Sequence, residues 1–228
     1  HAHYVAQREG EPEVLSSVAE LNGKEGFVIA PFSPSSDCPV LLIHPDESKL
    51  LPISDAKAIS TSDSTLGEDA SDRDAYAGAF ECFHQELEKG TFRKIVLARK
   101  ATVRTADKDF ENLFMKACRM YPRLFVSLVY TPQSGMWLMA TPEILLKGEQ
   151  GNMSTMSLAG TQKAEPSRTV ADYPVEGVEW SHKNQEEQQY VTDYIEDCIK
   201  AFADDYQLKG PYTTMAANLY HLRTDISF

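Results

Sequence analysis

Apolar residues along this chain follow two periods, and the change from one to the other marks its elements. Tyr76, Phe80, Phe83 and Leu87 recur at helical spacing, with Ser71 as a candidate N-cap, Asp72 and Asp74 in the first turn and Gly90 as a stop. Lys94–Arg104 is rich in Val, Ile and Thr and predicts a strand. Residues 109–120 predict a second amphipathic helix, with Phe110, Leu113, Phe114 and Ala117 on one face and Pro122 beyond its end. Residues 124–130 and 136–140 read as a hairpin around Pro132-Gln133-Ser134-Gly135. Residues 143–148 and 152–158 read as a second hairpin turning near Gly151. A long helix is predicted from about Ser181 to Asp204, with Val191, Tyr194, Cys198 and Phe202 on its apolar stripe. A last strand covers Met215–Thr224, and residues 26–31 and 39–44 give two short strands near the start. Residues 53–74, rich in Ser, Asp and Ala, read as a connector. Hairpins mixed with packed helices argue for an α+β fold, mainly antiparallel.

Composition narrows the class. The 228 residues are 42% hydrophobic and 25% charged, enough for one large folded domain. No apolar run approaches the roughly 18 residues that span a bilayer, and no signal peptide is visible, so no membrane partner and a cytoplasmic location are expected. The net charge of −12 repels a phosphate backbone and argues against nucleic acid. An anionic substrate would then need a local cation. Cys38, Cys82, Cys118 and Cys198 show no metal or disulfide spacing and read as reduced core thiols.

Five places could carry chemistry, and each also has a plain structural reading. Lys94 is a solvated lysine at a strand start, or a base held against a partly apolar surface. Glu143, after Pro142, is a turn acid, or a carboxyl kept protonated by burial. Ser157-Leu158-Ala159-Gly160-Thr161 is an ordinary turn, or a small-residue cradle that admits a carboxylate to the backbone. Glu187 is a first-turn acid favoured by the helix dipole, or a ligand for a hard cation such as Mg²⁺. His221 is a structural histidine, or a donor to an anionic substrate.

The order and flanks of these segments resemble the chorismate-utilising family, closest to isochorismate synthase. They are Lys94-Ile95-Val96-Leu97-Ala98-Arg99, Thr141-Pro142-Glu143, the Gly160-Thr161 pair, Lys183-Asn184-Gln185-Glu186-Glu187 and His221-Leu222-Arg223-Thr224. The resemblance runs from about Asp72 to the last residue. It implies one chorismate-binding domain over residues 1–228, with 1–70 as a variable front part and 71–228 as the front portion of the catalytic core. The implied fold is two packed, mainly antiparallel sheets with outer helices. The family domain continues past Thr224, so the chain is expected to lack its C-terminal part and to be possibly inactive alone.

The resemblance also assigns roles. Lys94 matches the lysine that activates water; members that add ammonia carry Gln there, so no glutaminase partner is expected. Glu143 matches the acid that protonates the departing 4-hydroxyl. Gly160 and Thr161 match the loop that holds a substrate carboxylate, His221 a substrate-contacting histidine, and Glu187 a Mg²⁺ ligand. Gln188 and Gln162 depart from the family pattern. The implied activity is Mg²⁺-dependent conversion of chorismate to isochorismate, for menaquinone or siderophore biosynthesis. The alternatives are a salicylate synthase and an inactive chorismate-binding fragment.

Overall fold

Antiparallel pairing dominates the fold, as the alternating patterns predict. The computed structural model describes residues 1–53, 65–66, 70–104, 109–164 and 174–228. In chain order these form β1 (Ala2–Ala6), β2 (Glu13–Leu15), a short 3-10 helix (Val18–Leu21), β3 (Phe27–Ile29), β4 (Val40–Ile43), β5 (Glu47–Leu51), β6 (Thr65–Leu66), α1 (Ala70–Glu88) and β7 (Val103–Arg104). Then follow α2 (Phe110–Met120), β8 (Phe125–Thr131), β9 (Gly135–Thr141), β10 (Lys147–Glu149), β11 (Asn152–Lys163), α3 (His182–Ile199), β12 (Gln207–Ala216) and β13 (Leu219–Ser227). The described strands fall into five sheets. No described helix is long and apolar enough to cross a membrane.

The chain divides into two compact units. The first comprises the described parts of His1–Lys57 together with Glu111–Lys116 and Ser127–Met139. Its sheets are β1–β5, β2-β4-β3 and most of the β8–β9 pair, and its core is Leu15, Val40 and Leu42, backed by Leu21. The short strands expected at 26–31 and 39–44 are β3 and β4. Strands β1, β2 and β5 of the same unit are only three to five residues long, too short for a period to show.

The second unit holds everything that bears on chemistry. Its largest sheet runs β10-β11-β13-β12, all antiparallel, and the short β6–β7 pair also belongs to it. The turn expected near Gly151 is present, with Gln150 and Gly151 both at positive φ (52° and 87°), the conformation of a tight hairpin. The predicted last strand proves to be a whole hairpin, β12 and β13, turning at Ala217-Asn218. Along β13 the residues alternate strictly, with Tyr220, Leu222, Thr224 and Ile226 buried. Helix α3 packs on the face that carries Ser157 and Thr224. Ala164, Val175, Met215 and Tyr220 form a core cluster that Val178 and Trp180 extend.

Four expectations are corrected. Residues 94–102 form no ladder; only Val103–Arg104 pairs, with Thr65–Leu66. Among the described residues the run has no ladder partner, and Val96 is 76% exposed. The stripe Val191-Tyr194-Cys198-Phe202 is not the buried face of α3: Gln188, Thr192 and Ile199 are buried, while Tyr194 and Phe202 stand in solvent. The cysteines are free, but Cys38, Cys82 and Cys198 are exposed and only Cys118 is half-buried, with its thiol pushed up by desolvation. Helix α1 starts at Ala70, which places Ser71 inside the helix rather than at its cap. Most of the connector at 53–74 lies outside the described residues.

Candidate active site

Ser181 opens α3: its hydroxyl accepts the Asn184 backbone N–H at 3.3 Å, a standard N-cap. Counting from His182, Glu187 is the sixth helical residue, so it is past the first turn and not a dipole-stabilised acid there. Its carboxylate meets Lys94 Nζ at 3.2 Å, with side chains 27% (Lys94) and 35% (Glu187) exposed. The preceding residue reinforces this placement, because the Arg93 guanidinium lies 5.1 Å from the ring centre of Tyr190, one turn along α3. Residues 93 and 94 therefore lie along the first turns of α3, and no sheet ladder among the described residues holds them.

Glu143 follows β9 and its backbone N–H donates to Thr141 Oγ1 at 3.2 Å. The side chain keeps access to solvent, yet nearby protein desolvates the carboxyl and pushes its pKa above the usual range, while the positive charge of Lys94 pulls it part of the way back. A carboxyl shifted this way holds a proton more readily than an open one. Lys94 thus acts on both acids, pairing directly with Glu187 and exerting its charge on Glu143.

Gly160 and Thr161 do not form a turn. They lie inside β11, where the register to β13 slips between Ala159 and Thr161. This is a β-bulge, and Gly160 takes φ +66° within it. A side chain there would meet the Trp180 ring at 3.3 Å and Asn184 at 3.4 Å. The small residue serves the close approach of helix and strand. Ser157 is fully buried beneath α3, with its hydroxyl 2.7 Å from Thr192 Oγ1 and 2.8 Å from Gln188 Nε2.

His221 sits opposite Thr161 on β13. Its Nδ1 lies 3.3 Å from Thr161 Oγ1, which can donate to it, and 3.2 Å from Gly160 O, which can only accept. Desolvation holds the imidazole below its ordinary pKa, opposed by the Gly160 contact. Gly160, Thr161 and His221 therefore form one cluster and Lys94 and Glu187 an ion pair, and the charge of Lys94 lowers the pKa of Glu143.

A cavity of about 540 Å³ opens beside Glu143. It is lined by Arg123, Thr141, Thr214 and Arg223 as polar groups and by Phe125, Ile144, Met156 and Leu158 among the apolar ones. Of the predicted site residues only Glu143 reaches it. The sequence reading gives no role to Arg123 or Arg223. The available signal was an arginine on an alternating strand of an acidic chain that needs local cations.

Among the described residues no three His, Cys, Asp or Glu side chains gather as a metal cage. Glu187 alone still suits Mg²⁺, which is usually held by one or two carboxylates, with waters and substrate completing the shell.

Comparison with known proteins agrees with this architecture. No curated protein matches the chain. A solved structure described as a "putative 2,3-dihydroxybenzoate-specific isochorismate synthase, DhbC from Bacillus anthracis" superposes with a TM-score of 0.66 at 15% identity. The match covers 92% of this chain and 57% of that one, so the chain spans little more than half the length of that protein. At this identity the likeness establishes the fold, α+β with antiparallel sheets. The family model described as "Chorismate binding enzyme" matches residues 42–227, well over half of the sequence. The chain belongs to the chorismate binding enzyme family.

Proposed function

We propose that this chain carries the water-activating and proton-donating residues of an isochorismate synthase. The observation that supports this reading is that one lysine, Lys94, acts on both acids, on Glu187 through an ion pair and on Glu143 through its charge. In the reaction, Lys94 must stand outside the Glu187 ion pair and in its neutral form to take a proton from water as the oxygen bonds to C2 of chorismate. The ring double bonds shift, the C4–O bond breaks, and the protonated Glu143 gives its proton to the departing hydroxyl. A carboxyl already pushed up by desolvation suits that donor role. Microscopic reversibility requires the two groups to exchange roles in the back reaction.

Glu187 would supply the protein carboxylate for Mg²⁺. When bound, the ion would offset the negative charge of the substrate's ring carboxylate near an acidic protein. Thr161 and His221 would contact the substrate through their hydroxyl and imidazole. The isochorismate formed would feed menaquinone or siderophore biosynthesis.

The test is chromatography of the products after incubation with chorismate and Mg²⁺. Isochorismate is expected. Salicylate with pyruvate would transfer the assignment to a salicylate synthase. Unchanged chorismate would remove the catalytic reading for this chain.

A further inference from the structure

The cavity beside Glu143 has features that the proposed chemistry does not use. Arg223 and Leu158 are paired across β13 and β11, on the sheet face opposite the Ser157–Thr224 pair beneath α3. The guanidinium is held in the cavity wall by its neighbour two residues on: Nε donates to Asp225 Oδ1 at 2.7 Å, and a terminal nitrogen lies 2.6 Å from the same oxygen. The Tyr212 hydroxyl holds the other Asp225 oxygen. Thr214, on the same wall, is 2% exposed, and its hydroxyl has no hydrogen-bond partner among the described residues. Leaving a buried hydroxyl without a partner is unfavourable, so such groups are normally matched by a ligand or water. The remaining wall is apolar, and the volume falls within the roughly 300–1,000 Å³ of small-molecule sites.

Resting on the proposed reading, we infer that Arg223 and Thr214 bind a carboxylate of the substrate, whose ring lies against Leu158 and Met156. Arginine suits this task because its planar fork matches a carboxylate through two parallel hydrogen bonds. It also supplies the local cation that an anionic substrate needs on a chain of net charge −12. Asp225 positions the guanidinium when the cavity is empty and competes with the substrate for it when it is filled.

Titration calorimetry of the full chain with chorismate and Mg²⁺ tests this. Arg223→Gln is expected to weaken binding by ~10- to 100-fold, the loss of a charge-assisted pair. Asp225→Asn is expected to bind at least as tightly as the unmodified chain, because the competing carboxylate is gone. A purely structural Arg223–Asp225 pair would make both variants weaker, and that result overturns the inference. So does unchanged affinity in Arg223→Gln while the unmodified chain binds chorismate. If the unmodified chain binds no chorismate, the proposed function fails first and this inference falls with it. If Arg223→Gln does not fold, Asp225→Asn decides alone: retained or tighter binding supports the role, and weaker binding overturns it.

Discussion

Gly160→Ala probes the joint that holds the site's helix to its sheet. At φ +66° an alanine pays the left-handed penalty of about 1–2 kcal/mol. Its methyl would also sit 3.3 Å from the Trp180 ring and 3.4 Å from Asn184. Neither neighbour yields freely, because Trp180 Nε1 is pinned to Thr213 Oγ1 at 2.8 Å and Asn184 belongs to the first turn of α3. That crowding adds about 1 kcal/mol, the lower end of overpacking costs. Alanine recovers about 0.4–1 kcal/mol by restricting the unfolded chain. The net loss is about 2 kcal/mol. With a urea slope near 2 kcal/mol/M, the unfolding midpoint falls by about 1 M. Trp180 lies at the contact and serves as the fluorescence reporter. Gly78 is the control, since it lies within α1 with nothing within 4 Å of an added methyl. Gly78→Ala should therefore be stabilising by about 0.5–1 kcal/mol. Equal midpoints for Gly160→Ala and the unmodified chain would refute the bulge and the close approach of α3.

Other perturbations separate chemistry from folding. Lys94→Ala and Glu143→Gln should abolish isochorismate formation while shifting the urea midpoint little, because a partly exposed ion pair contributes about 0–1 kcal/mol. Normal turnover in either variant would remove its assigned role. His221 is held neutral by desolvation, so the unfolded chain binds the extra proton first. Its contribution to stability is therefore intact above the ordinary histidine pKa of about 6.5 and is lost as pH falls through the depressed folded value. The stability gap between the unmodified chain and His221→Asn, followed by urea unfolding, should narrow over that window; a gap that widens towards acid would contradict it. Gln188→Ala removes the buried amide that donates to Ser157 Oγ at 2.8 Å and Ser157 O at 3.2 Å. It should lower stability by about 1–3 kcal/mol, read from the same urea titration.

The hairpins were legible because their turns carry the residues that positive φ requires, as at Gly135 and Gly151. Strand β12 was not, since Gln207-Leu208-Lys209-Gly210-Pro211 shows neither alternation nor β-branching. The run 94–102 had strand chemistry but no ladder partner among the described residues, and pairing is a property of the neighbour rather than of the segment. Helix α3 misled because Tyr194 and Cys198, on the expected stripe, face outwards. Its buried side combines Ile199 with Gln188 and Thr192, and the two polar residues become favourable inside only where Ser157 and Thr224 meet them. No period in one sequence announces that match. Lys94 and Glu187 were each readable as candidates, but neither their residues nor the roles implied by the resemblance announced their 3.2 Å pairing across more than ninety residues. Arg223 stood within a quoted motif yet gained meaning only when the register placed it on a cavity wall.

The central claim is that water, activated by Lys94, adds to chorismate. Mass spectrometry of the product formed from chorismate and Mg²⁺ in ¹⁸O-labelled water tests it most directly. The account predicts isochorismate carrying one labelled oxygen, with the label lost in no fraction of the turnovers and no product from Lys94→Ala. Unlabelled isochorismate would mean that the oxygen migrates within the substrate, and it would contradict the role given to Lys94.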